Sequence, residues 1–325
     1  MLTIDKRWAC WEIAHNDHYI ATVGAGVTIR SRTTLELVHH FTGIRWIHGA
    51  IFVSNDVLMV FTGEQKIFLF QISQRKLLWA VPRPRELDST GDMCCCHIFG
   101  TEKIACIAQG RKSMDEHFLL LIDWQAQEIC IQRISDCYRV VSDLVWTQQF
   151  GVTFLSKQAK GDNRTMLFKI HQIANMDTFS ILYDGESTQK LMAYSGNYLF
   201  MADYSGGTPK ASVYPLKESC AKGSLKFETS LNLPLSPVQT KGPVGYKRVI
   251  FPRICWIDEG TGLLVACNDQ EWVGVYDFLN EKMLFEYQNS KVVYGKLLDG
   301  RLLMGCAPGF SVEPIEAPLG TITEH

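Results

Sequence analysis

No stretch of this sequence is apolar for long enough to cross a bilayer as a helix, and no apolar stripe is sustained at the 3.6-residue spacing of a helix face. A helical bundle and a helical membrane anchor are therefore not expected. Residues 1–11 carry Asp5, Lys6 and Arg7 where a secretory signal needs its apolar run, so export is not expected either. Also missing are a glycine-rich phosphate loop ending in Lys-Ser or Lys-Thr, a Gly-x-Ser-x-Gly elbow and a His-Glu-x-x-His pair. Their absence removes the usual local signatures of nucleotide, acyl-transfer and zinc-protease chemistry. Low-complexity tracts are absent, and a net charge of −2 over 325 residues gives no global attraction to nucleic acid or to an anionic membrane.

What the chain does contain is repetition. Seven times a short apolar strand is followed, after a turn, by a second, and six times by a third: Leu58 to Phe61, Ile67 to Phe70 and Leu77 to Val81 form one such set, Ile104 to Ala108, Phe118 to Ile122 and Ile129 to Ile134 another. A period of about 40 to 50 residues built from strands alone predicts an all-β, seven-bladed β-propeller of four-stranded antiparallel blades, with residues 1–325 read as one domain. Inner strands are expected near 8–14, 46–53, 93–99, 139–146, 189–195, 249–257 and 292–298. The seventh set lacks an outer strand, and an open edge is a liability that sheet proteins avoid. Leu2 to Lys6 is expected to supply that strand, with Thr321 and Ile322 as the rival segment.

The third-to-fourth-strand hairpins are the most alike. Residues 67–79, 119–131 and 273–285 each run through an apolar strand, an acidic or polar residue, a short polar turn and an amphipathic strand. This pattern resembles the WD-repeat and quinoprotein-like propellers, whose third strand ends in an aromatic and an acidic residue. Tyr276-Asp277 matches that order, Asp123-Trp124 reverses it, and the Gly-His dipeptide of the WD repeat is not present. The resemblance lies at the level of the fold and spans most of the chain.

Eleven cysteines, an odd number, are spread over nearly every repeat and mostly set inside apolar strands, which points to reduced, buried thiols and a cytoplasmic location. Cys94-Cys95-Cys96-His97 has the residue types of a zinc site, but on a strand Cys94 and Cys96 face one way and Cys95 and His97 the other, so one segment cannot enclose a tetrahedral ion. Packed thiols are the expectation there, and no metal or other cofactor is expected. His39 and His40 are expected on opposite faces of an outer strand. Asp143 and the pair Asp258-Glu259 are the candidates for a channel-mouth site in an enzyme such as a metal-dependent lactonase. Backbone bonding by Asp143 and a tight turn at Asp258-Glu259-Gly260 are the expected roles.

Loop lengths carry more. In a propeller the second-to-third-strand turns and the connections between blades share one rim, the top. The long insertions 82–92, 109–117, 156–165, 203–210 and 234–248 all fall in that class. They hold Arg83, Arg85, Arg111, Lys112, Lys157, Lys160, Arg164, Lys241, Lys247 and Arg248, with Leu87 and Tyr246 as apolar groups among them. Binding residues concentrate on loops held by a rigid scaffold. The expected function is therefore a non-enzymatic adaptor, immunity protein or complex subunit. Its basic top face over blades three to six would grip another protein with an acidic or phosphorylated surface. Neither a membrane nor a nucleic acid is the expected partner, and outside its complex the chain is expected to be a monomer.

Overall fold

A computed structural model describes residues 2–64, 66–87, 93–98, 100–113, 116–135, 137–140, 144–161, 165–174, 178–189, 191–203, 210–216, 229–232, 238–241, 247–250, 253–258, 260–267, 272–288, 291–306 and 309–315. The chain forms seven antiparallel blades, each wound from an inner strand outward. Inner strands are Cys10–His15, Ile47–Phe52, Met93–His97, Leu191–Tyr194, Arg253–Asp258 and Val292–Leu298, close to the expected positions. Blade four differs, because its inner position is split between Arg139–Val140 and Val145–Thr147, both paired with Gly151–Ala159.

Seven apolar clusters fill the seven gaps between neighbouring blades. Side-chain alternation explains why the middle strands are apolar throughout. In Val57–Thr62, Leu58 and Val60 enter the gap toward blade one while Met59 and Phe61 enter the gap toward blade three. A strand covered on both faces has no polar side to show. Outer strands keep an exposed edge, as in Lys76–Val81, where Leu77 and Leu78 face solvent.

Closure follows the expected route. Leu2–Asp5 lies along Gly309–Pro314 with Leu2 opposite Val312 and Asp5 opposite Phe310, completing blade seven with a strand that precedes blade one in the chain. Thr321 and Ile322 lie outside the described residues. Asp5 then reaches sideways into blade one, where its carboxylate accepts a hydrogen bond from Arg30 Nη2 at 2.5 Å, both side chains being 5% exposed. Arg30 Nη1 donates to the Leu35 carbonyl at 3.2 Å, and the Arg7 amide donates to Asp5 Oδ1 at 2.8 Å. From the turn that contains Leu35, Arg32 of blade one grips Asp299 of blade seven through two hydrogen bonds of 2.6 and 2.8 Å. Arg301 Nη2 donates to the Arg32 carbonyl at 2.9 Å. Gly305 is required here, since a side chain would drive into the Cys10 carbonyl of the adjoining inner strand.

One expectation about the loops needs correction. Within 234–248, expected as one long loop, Val238–Lys241 forms a strand that pairs with Lys247–Ile250.

Closure by the N-terminal strand predicts that deleting residues 1–7 lowers the melting temperature by several degrees or causes aggregation, checked by thermal unfolding with light scattering. Asp5→Asn leaves Arg30 buried without its counter-charge, a loss of about 3 to 5 kcal/mol. Burial pushes the Asp5 carboxyl upward, but the hydrogen bonds from Arg7 and the charges of Arg7 and Arg30 outweigh it and hold the group below its ordinary value. The stabilisation is thus complete at neutral pH and is lost as pH falls through the lowered value. The gap in melting temperature between wild type and Asp5→Asn should be widest near pH 7 and close in acid.

Candidate functional site

A concave feature of the top rim lies between blades one and two. In the inner strand of blade one Cys10 pairs with Gly24 and Glu12 with Val23, leaving Trp11 as an unmatched, bulged residue. Blade two repeats the device: Ile47 pairs with Thr62 and Gly49 with Phe61, so that His48 is the extra residue. A bulge re-aims the side chain it adds. Both residues turn into a cleft of about 550 Å³ lined also by Gly24, Ala25, Ile44, Arg45, Trp46 and Ile47.

Two tryptophans give the cleft its character. Trp11 is 40% exposed and donates from Nε1 to the Ile47 carbonyl at 2.9 Å, which fixes the ring across the boundary between the blades. Trp46 is 65% exposed and holds a φ of 56°, a left-handed conformation uncommon for a bulky residue. Its backbone is pinned there by the Gly63 amide, which donates to the Trp46 carbonyl at 2.5 Å. The ring it carries is a large apolar group left in water.

The surroundings are cationic. Arg45 is exposed beside Trp46, and Arg83 is exposed on the connection that follows blade two. The Glu64 carboxyl lies below its ordinary value because Lys66 bonds to it and adds its charge, helped at longer range by Arg83 and Arg45, which places all of these groups in one neighbourhood. On the outer side of blade one Arg7 lies over the Trp8 ring at 4.1 Å, and Trp8 stacks on His40 with centroids 3.8 Å apart. Burial, with the charges of His39 and Arg7, keeps the His40 ring below its ordinary value and hence neutral near pH 7. Thr28 Oγ1 and His40 Nδ1 are 2.9 Å apart. The histidine pair does point to opposite faces, since the His39 ring instead meets Phe41 edge-on at 4.4 Å.

The expected rim residues separate into groups. Arg83, Arg85, Arg111 and Lys112 are all exposed. The Arg111 amide donates to the Glu86 carbonyl at 2.9 Å, which holds the connection after blade two against the top turn of blade three. Glu116 supports that turn, accepting from the Lys112 amide at 3.1 Å. Leu87 is not presented to a partner: it is 1% exposed, pairs with Gly110 and packs in the cluster between blades two and three. Lys157 belongs to a strand instead of a loop, because Gly151–Ala159 continues past it, and it stands opposite Arg139. Burial, with Arg139 nearby, lowers its amine below the ordinary lysine value. Lys160 is exposed and bonds Glu186 at 2.7 Å. Lys241 is opposite Lys247, and Thr240 opposite Arg248, in the hairpin between blades five and six. Arg164 and Tyr246 lie outside the described residues.

Of the enzyme candidates, Asp258 forms the expected turn, accepting from the Gly260 amide at 3.0 Å and from Thr261 Oγ1 at 2.8 Å. Asp143 and Glu259 lie outside the described residues. The alternation of the cysteine run is also as expected, with Cys95 packed toward blade two and Cys94 and Cys96 toward blade four. Sequence reasoning missed Trp11, Trp46 and Arg45. A signal was there, a Trp at the head of each of the first two inner strands, but neither the bulge that re-aims Trp11 nor the positive φ of Trp46 has a sequence signature.

No protein-family model matches the chain, and no curated protein matches it. Among solved structures it is similar to the crystal structure of the computationally designed Ika8 protein, with a TM-score of 0.55 and 12% identity over 97% of this chain and 100% of that one. A likeness at that identity concerns the fold alone. The chain is a seven-bladed β-propeller closed by its N-terminal strand.

Proposed function

We propose that this protein is a non-enzymatic, cytoplasmic binding scaffold. Its top rim takes an acidic segment of another protein and seats an apolar side chain of that segment in the cleft between blades one and two. The observation that carries the reading is Trp46, a 65% exposed ring with a left-handed backbone beside a concave surface, with Arg45 in the same lining and Arg83 acting at longer range on the nearby Glu64. Tryptophan and arginine at a concave centre are the residue types that dominate binding energy in interfaces. The cations continue over blade three through the exposed Arg85, Arg111 and Lys112, so among the described residues a basic arc runs over blades one to three. Complementary charge would speed encounter, and the rings would hold the complex once formed. Within propellers, the aromatic-acidic end of the strand Trp272–Asp277 supports placing the chain near the WD-repeat type, whose use as an interaction scaffold agrees with this reading.

Synthetic peptides with a central Leu flanked by Glu, against matched peptides flanked by Gln, test the proposal through the tryptophan fluorescence of the intact protein. Saturable quenching by the acidic peptide alone, weakening as salt rises, is the expected result. Trp46→Gly removes the ring while relieving its backbone, so stability should hold and affinity should fall by about 2 kcal/mol, roughly thirtyfold. Equal response to both peptides, or an unchanged Trp46→Gly variant, would overturn the cleft as the anchor. Stoichiometric metal in the purified protein would instead point to an enzyme.

Reversing the exposed residues Arg45, Arg83, Arg85, Arg111 and Lys112 to Glu should move folding stability by no more than about 0.5 kcal/mol for each substitution. In stopped-flow measurements the association rate of the acidic peptide should drop at low salt and converge on wild type at high salt, where screening removes steering.

A further inference from the structure

We propose that Cys255 and Cys267 are a redox-linked pair that closes to a disulfide across blade six when the reduced protein meets a hydroperoxide. Cys255 lies on the inner strand Arg253–Asp258 and Cys267 ends the neighbouring strand Leu263–Cys267. The ladder between them pairs Arg253 with Cys267, Ile254 with Ala266 and Trp256 with Val265, so Cys255 is the unmatched residue of a bulge. In a regular ladder Cys255 would stand two positions from Cys267. The bulge swings it back, and the two sulfurs stand 3.0 Å apart, closer than sulfurs in ordinary nonbonded contact. Neighbouring strands already supply the backbone proximity that a disulfide needs.

Exposure assigns the order of events. Cys267 is 0% exposed, closed in by Val265, Val273, Val275 and Val292 in the gap between blades six and seven, whereas Cys255 is only partly buried. The oxidant therefore meets Cys255. Its thiolate attacks one peroxide oxygen, an S–O bond forms, the O–O bond breaks, and the departing hydroxide takes up the thiol proton as water. The Cys267 sulfur then attacks the Cys255 sulfur. The S–S bond forms, the S–O bond breaks and a second water leaves with the Cys267 proton. Two thiols and one hydrogen peroxide give one disulfide and two waters, and a small-molecule dithiol reverses the step.

The two cysteines fall on one tryptic peptide, 254–282, which contains no other cysteine. Reduced full-length protein is exposed to hydrogen peroxide, alkylated in denaturant without reductant, digested and weighed. Peptide 254–282 should lose both labels and become lighter by two hydrogen atoms, and both labels should return after dithiothreitol. Cleavage after Glu259 should leave its halves joined. In Cys267→Ser the oxidised Cys255 should instead be trapped by dimedone as a sulfenic acid. Full double labelling of 254–282 after oxidation of the wild type, or a bond from Cys255 to a third cysteine such as Cys306, would overturn the assignment whether or not the variant folds.

Discussion

Asp5 and Arg30 bury opposite charges beside the strand pairing at which this ring could open. The chain crosses the junction of blades seven and one only through residues 6–9, and the closing strand Leu2–Asp5 is held to the rest of blade seven by noncovalent pairing alone. Apolar packing fills that seam as it fills the others, with Cys10, Ile13 and Ile20 of blade one against Leu298, Leu303 and Phe310 of blade seven. Packing is nondirectional, and a buried ion pair is not: it is satisfied in one register only, and misplacing either partner leaves a charge in an apolar medium. The pair therefore contributes less to net stability than to the choice of a single closed arrangement, with the Arg32 and Asp299 contact repeating the choice at a wetter site.

Everything on the top rim is held in place by that closed ring. The cleft lies next to the seam, formed by the first two blades, and its walls depend on backbone placed by two inner-strand bulges. Inner-strand bulges also occur in blades six and seven, where the ladder slips between Ile254 and Trp256 and between Val292 and Tyr294. The bulged blades are thus contiguous through the seam, six, seven, one and two, while blades three and five keep regular inner ladders. Trp11, His48 and Cys255 are all products of the same irregularity, used to different ends.

The fold was largely legible because its signal is repeated and two-sided. Runs such as Leu119 to Ile122 must be buried on both faces, and only stacked sheets do that for so many short strands. The closing strand was legible by elimination, from the missing outer strand of the last repeat. Loops and side-chain directions were not. Lys157 reads as loop because the strand that carries it ends in Lys-Gln-Ala, polar residues that remain in the ladder as it leaves the core. Leu87 reads as an exposed apolar group in a polar connection, yet its bridge to Gly110 folds the segment back over the gap between blades two and three. Trp46 could not be read at all, since neither its positive φ nor the hydrogen bond from the Gly63 amide to its carbonyl has a local trace in the sequence.

The order in which the chain is made gives the seam a further consequence. The strand Leu2–Asp5 emerges long before Gly309–Pro314, and during that interval it is an unpaired edge of the kind that recruits other chains. Asp5 and Arg30, however, are only 25 residues apart in sequence. Once blade one has formed, their contact can anchor the early strand along its flank while the remaining blades are added around the ring. The last blade then meets a partner strand already in position and in register, so that closure becomes the docking of two prepared surfaces and not a search by a free end.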